Sequence, residues 1–138
     1  MKKLLLISAI FLSLQSFGAL KITGQLTNSD SVKIGDNTSY VTLTIQFEED
    51  GTINVLTDVY KGKPAYLAGK KTYPSVLQVS RVYSIDSATV ATAPTSGFAA
   101  LSGKSLIDKF IYWIHWKVGE KIVADNPGFT VQVVDIKL

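Results

Sequence analysis

The chain has 138 residues, 14 Lys+Arg against 11 Asp+Glu for a net charge of +3, and no cysteine. That length sets one domain, and the missing thiols exclude disulfide staples, a dithiol redox centre and a zinc–thiolate cluster. Two of those basic residues, Lys2 and Lys3, fall in the N-terminal stretch read below as an export signal, and the near-neutral remainder excludes a global field that would draw the protein onto nucleic acid or an anionic membrane.

The first element is an export signal. Residues 1–19, MKKLLLISAIFLSLQSFGA, run from Lys2 and Lys3 through an apolar stretch reaching Leu14 to the small residues Ser16, Gly18 and Ala19. A basic start, an apolar middle and a small-residue end are the layout of a secretory leader. The apolar middle falls short of the ~20 residues that a permanent membrane helix needs. A buried N-terminal core helix is the competing reading. Cleavage is expected after Gly18 or after Ala19, and with no cysteine to follow, no lipid anchor and no stable membrane anchor is expected. Losing Lys2 and Lys3 leaves 12 basic against 11 acidic residues, a net charge of +1. The expectation is a leader over 1–19, a single β-rich domain over 20–138, and a periplasmic or secreted location.

Period-two alternation then recurs along the chain. LKITGQLT sets Leu20, Ile22 and Leu26 against Lys21, Thr23 and Gln25. NSDSVKIGDN is rich in turn formers and reads as a loop with a short extended piece. YVTLTIQFE is the cleanest strand, with Val41, Leu43, Ile45 and Phe47 on one side and Tyr40, Thr42, Thr44 and Gln46 on the other. INVLTDVY alternates in the same way, and Asp50-Gly51 between the two predicts a hairpin, because glycine accepts the positive φ of a tight turn. KGKPAYLAGKKTYP is punctuated by glycine and proline and reads as a loop. VLQVSRVYSI predicts another strand, with Arg81 interrupting the face of Leu77, Val79, Tyr83 and Ile85. Residues 86–105 form a long connection of small and polar residues, with room for a short strand at its middle.

The stretch FIYWIHWKV, residues 110–118, holds both tryptophans and the sole histidine. A helix is open to it: Leu106, Ile107, Phe110, Ile111, Ile114 and Val118 fall near a 3.6-residue period, and Ser105 is placed to cap the start. Against that, its β-branched and aromatic residues each lie roughly 0.4–0.7 kcal/mol below alanine in helix propensity and suit a pleated surface. Val118, Gly119, Glu120 and Lys121 also fit a two-residue hairpin returning into KIVAD. The balance favours a strand. Asn126, Pro127 and Gly128 make a turn, and FTVQVVDIKL closes the chain as a strand. The sum is an all-β fold: a small antiparallel β-sandwich or barrel of six to eight strands with at most one short helix.

On an extended 110–118, the row Phe110, Tyr112, Ile114 and Trp116 meets the core, while Trp113, His115 and Lys117 face outward. A half-exposed Trp113 beside His115 offers a stacking platform for a sugar or an apolar side chain; the bland alternative covers Trp113 with a loop. In the segment from Tyr60 to Tyr73, Lys61, Lys63, Lys70 and Lys71 alternate with Tyr60, Tyr66 and Tyr73. Such a loop suits phosphates, acidic or sulfated sugars, or an acidic protein patch, unless its tyrosines simply anchor it.

Catalytic signals are thin. No serine sits in a G-x-S-x-G elbow for His115 to serve, and Glu48, Glu49 and Asp50 cluster at a turn where solvated acids are ordinary. His115 has only carboxylates to help it hold a metal, and Asp30, Asp36 and Asn37 match no calcium-loop spacing. GFAALSGKS misses the phosphate-loop motif, since Gly97 and Gly103 bracket five residues where four are required. The expectation is therefore a non-catalytic exported binding protein without metal or cofactor. Its partner is a glycan or an exported protein, met through Tyr60, Lys61, Lys63, Tyr66, Lys70, Lys71, Tyr73, Trp113 and His115. The alternatives are an inhibitor or accessory subunit of a secreted hydrolase, and a structural subunit that assembles by adding a strand at the FTVQVVDIKL edge.

Overall fold

A computed structural model of the chain describes residues 13–15, 18–28, 30–34, 37–72, 76, 78–93 and 105–134. In chain order the elements are β1 (Ser13–Gln15), β2 (Ala19–Thr23), β3 (Leu26–Thr27), β4 (Lys33–Ile34), β5 (Thr38–Phe47) and β6 (Ile53–Tyr60). They are followed by α1 (Lys63–Leu67), β7 (Tyr83–Ile85), α2 (Ser87–Ala91), α3 (Leu106–Asp125) and β8 (Thr130–Val134). The fold is mostly β, with one main helix.

The principal sheet is antiparallel throughout and runs β7-β6-β5-β2-β8, with β1 alongside β5 beyond the reach of β2. β3 and β4 form a separate two-stranded ribbon. Among the described residues the end strands β7 and β8 do not pair with each other, and the sheet is open.

The hairpin of β5 and β6 forms as its alternation predicts. Val41, Leu43 and Ile45 are buried on the same face as Ile53, Val55 and Val59, in a register from Tyr40 opposite Tyr60 to Phe47 opposite Ile53. Its turn is closed by the Glu48 N–H donating to the Thr52 carbonyl at 2.9 Å, with Gly51 at φ 89°. Leu20 and Ile22 of β2 extend the same inner face and are fully buried. β2 ends at Thr23, so Leu26 belongs to the ribbon rather than to a continued strand.

Three expectations are corrected. First, residues 110–118, expected as a strand, are helical. They lie inside the 20-residue α3, which also takes in KIVAD; the predicted hairpin at Gly119 is absent, and the helix is longer than the short one allowed for. Ile111, Ile114, His115, Val118 and Ile122 are all buried, at spacings of three and four that only a helix brings onto one face. The propensity deficit across 110–118 amounts to several kcal/mol, whereas each large side chain taken fully from water returns ~1.5–3 kcal/mol. Burial therefore decides. Ser105 caps the start as its position suggests: its hydroxyl accepts from the Asp108 N–H at 3.2 Å and donates to the Asp108 carboxylate at 2.7 Å. At the other end Asn126 takes the Ile122 carbonyl with both its backbone N–H and its side-chain Nδ2, each at 2.9 Å.

Gly119 explains the missing hairpin. A Cβ there would stand 3.1 Å from Val131 Cγ1 and 3.8 Å from Leu20 Cδ2. The glycine lets α3 lie close on β2 and β8; it does not turn the chain.

Second, the strand expected over VLQVSRVYSI is confined to Tyr83–Ile85. Its earlier part curls, with the Ser80 N–H donating to the Val76 carbonyl at 2.8 Å; Leu77 lies outside the described residues. Third, the connection after Ile85 is not irregular from its start but opens with a short helix, α2; the short strand allowed for at its middle lies outside the described residues. The Asp86 carboxylate caps α2 by accepting from the Thr89 N–H at 2.7 Å; the Thr89 hydroxyl first, and that N–H second, hold the Asp86 pKa below the usual carboxylate value. Residues 94–104 lie outside the described set.

Candidate functional site

Helix formation reverses the two tryptophans. Trp113, expected to face outward, is 1% exposed in the main core, stacked near Phe110 at 5.8 Å between ring centres. Trp116, expected to face the core, is 40% exposed. Lys117 lies between them, with Nζ 5.9 Å from the Trp113 ring, 5.0 Å from the Trp116 ring and 3.8 Å from the Glu120 carboxylate.

His115 is fully buried. Its Nδ1 lies 2.8 Å from the Ile111 carbonyl, so Nδ1–H donates and Nε2 carries the lone pair. Among the described residues, Nε2 has no hydrogen-bond partner, and neither does the buried hydroxyl of Ser39. Burial pushes the His115 pKa below 6.5, and the Ile111 carbonyl only partly opposes that. The enclosed imidazole does not lie on the outer surface. The placing of Trp113 and His115 on an outer contact face is thereby corrected. Among the described residues no three His, Asp or Glu side chains gather as metal ligands would, and no helix is long and apolar enough to cross a membrane.

The lysine–tyrosine segment divides between two roles. Tyr60 is buried, and Tyr66 of α1 stacks on Tyr40 at 4.8 Å and meets Tyr60 edge-on at 5.6 Å. With Ala19, Ala65 and Val134 these rings form a second apolar cluster on the outer face of the sheet. The tyrosines thus pin the loop down. The lysines stay outside: Lys61, Lys70 and Lys71 line a shallow hollow of about 320 Å³ with Ala65 and Thr72, and Lys63 is exposed nearby. Lys71 also pairs with Asp58 at 3.2 Å. Tyr73 lies outside the described residues.

A further feature was not expected from the sequence. Where α3 crosses the end of the sheet, Trp116, Gly119, Glu120, Val123, Ala124, Val131 and Val133 enclose an open groove of about 420 Å³. Val131 and Val133 come from β8, the last strand of the sheet, whose described residues pair only with β2. The walls of the groove are apolar except for Glu120. The sequence signal for it was the small pair Gly119 and Ala124 on the helix, facing alternate valines on the final strand.

Comparison with protein-family models, with curated proteins and with solved structures found no match.

Proposed function

We propose that this is an exported, non-catalytic binding protein that takes an extended segment of another exported protein along β8. The curled, open sheet is half of a small barrel, and the partner strand continues it. Partner backbone pairs with the outer edge of β8, while alternate apolar side chains enter the groove beneath Trp116 and Val123. The observation that carries this reading is the apolar groove lying next to an end strand, with an indole 40% exposed at its rim. Apolar surface left open beside an unpaired edge is what folds ordinarily cover or blunt. The glycan alternative has lost its predicted platform, since Trp113 and Tyr60 are buried. The Lys61, Lys70 and Lys71 hollow supplies a second contact for acidic residues of the same partner.

The test places a photo-crosslinking amino acid at Trp116, at Val123 and, as a control, at Lys33. Cells exporting the protein are irradiated, and the adducts are identified. One partner is expected from positions 116 and 123 and none from 33, and Val133→Lys should abolish the adduct while leaving the fold intact. Equal labelling from all three positions, or adducts indifferent to Val133→Lys, would refute the proposal.

A further inference from the structure

β5 is a ten-residue strand, but β2 covers one side of it only from Thr38 to Val41. Further along that same side the partner is β1, antiparallel, with Ser13 opposite Gln46, Leu14 opposite Ile45 and Gln15 opposite Thr44. All three β1 residues belong to the stretch read as a leader, and Ala19, where β2 begins, is fully buried beside Tyr40 and Tyr60. A cut after Gly18 therefore keeps the whole of β2 and removes the whole of β1.

We infer that β1 is a placeholder strand, and that removing the leader opens β5 at residues 44–46 to an extended segment of a partner protein with apolar residues at alternate positions. The inference rests on the export reading but not on the β8 groove. The incoming segment is specified by what it replaces. It must run antiparallel to β5 and place a large apolar residue opposite Ile45, where Leu14 now stands. Ile45 is fully buried on the inner face, and Phe47, one step further, stacks with Phe110 of α3 at 6.1 Å. One helical turn before Phe110, Ile107 is 59% exposed, which continues the apolar surface outward. A strand interior to the sheet, left without a partner along one edge, is a template for strand addition. While the leader is attached the site is filled, so the precursor cannot engage the partner before export.

The test uses the chain recovered after export, whose mass gives the cut, beside the uncut chain. Hydrogen exchange is followed at whichever amides of residues 44–46 point toward β1. Exchange there is expected to be at least tenfold faster in the cut chain. A synthetic peptide of residues 10–18, with terminal lysines added for solubility, should restore protection, and the same peptide with Leu14→Pro should not. Equal protection in a monomeric cut chain overturns the inference, as does a peptide that restores nothing. Protection in a cut chain that has become a dimer assigns the edge to a second copy and overturns the partner version. An exported chain with the mass of all 138 residues overturns the removal of the leader instead, and with it the uncovering step.

Discussion

Gly119 separates the two ways of folding the tryptophan segment. In α3 its replacement by alanine gains ~1 kcal/mol of helix propensity. The added methyl would sit 3.1 Å from Val131 Cγ1, so Val131 must yield by a few tenths of an ångström. Val131 is half-buried on an end strand and borders the open groove, so it has space to move into. That places the packing cost at the low end of the overpacking range, ~1 kcal/mol. The two terms nearly cancel, and Gly119→Ala should change stability by less than ~0.5 kcal/mol. In a hairpin needing positive φ, alanine would instead lose ~1–2 kcal/mol. Urea unfolding of four chains gives the answer: wild type, Gly119→Ala, Val131→Ala and the double variant. In the Val131→Ala background the clash is gone, and Gly119→Ala should stabilise by the full ~1 kcal/mol of propensity. Destabilisation in both backgrounds would refute the helical placement and the contact together.

The tryptophans should respond oppositely to truncation. Trp113→Ala should cost ~3–5 kcal/mol and Trp116→Ala less than ~1 kcal/mol in urea titrations, because only the former ring is buried; the reverse order would restore the strand. Ser105→Ala removes the α3 cap and should cost ~1 kcal/mol by the same assay, with Ser105→Asp close to wild type. His115 has its folded pKa depressed below 6.5, so the unfolded chain takes up the proton first. Its contribution is complete above pH 6.5 and falls away as pH drops toward the folded pKa, at up to ~1.4 kcal/mol per pH unit. Stability measured from pH 8 to pH 5 should therefore drop more steeply in wild type than in His115→Leu, and parallel curves would show that the imidazole is not enclosed.

The strands were legible where one face is buried and the other is wet. Val41, Leu43 and Ile45 alternate with Thr42, Thr44 and Gln46, and no other period fits them. The Asp50-Gly51 turn was legible for a local reason, since its positive φ is a property of the residue itself. The helix was misread because its residue types and its pattern disagree. Aromatic and β-branched residues forfeit propensity wherever they stand, but the loss is fixed by residue type, whereas the gain depends on how much of each side chain the fold removes from water. Nothing in 110–122 states that Ile114, Val118 and Ile122 will meet the inner face of a sheet built from residues 20–59. The one local clue was the cap: Ser105 followed three residues later by Asp108, which a strand has no use for.

The candidate groove was illegible for a different reason. Its two walls, Trp116 to Ala124 and Val131 to Val133, are near in sequence, but the gap between them depends on β8 standing, among the described residues, at the end of its sheet. Strand order is not written in the alternation of any single strand. The same reversal governs the two tryptophans. A residue's period decides which neighbours it shares a face with, and the topology decides whether that face is covered. Trp113 is enclosed because α3 lies over the sheet, and Trp116 stays at the rim because, among the described residues, the sheet ends at β8. If a partner's strand supplies the next one, the exposed indole and the unpaired edge of β8 are two consequences of a single gap. They should then disappear together on binding: Trp116 fluorescence should shift to the blue in the same titration that slows exchange at β8 amides.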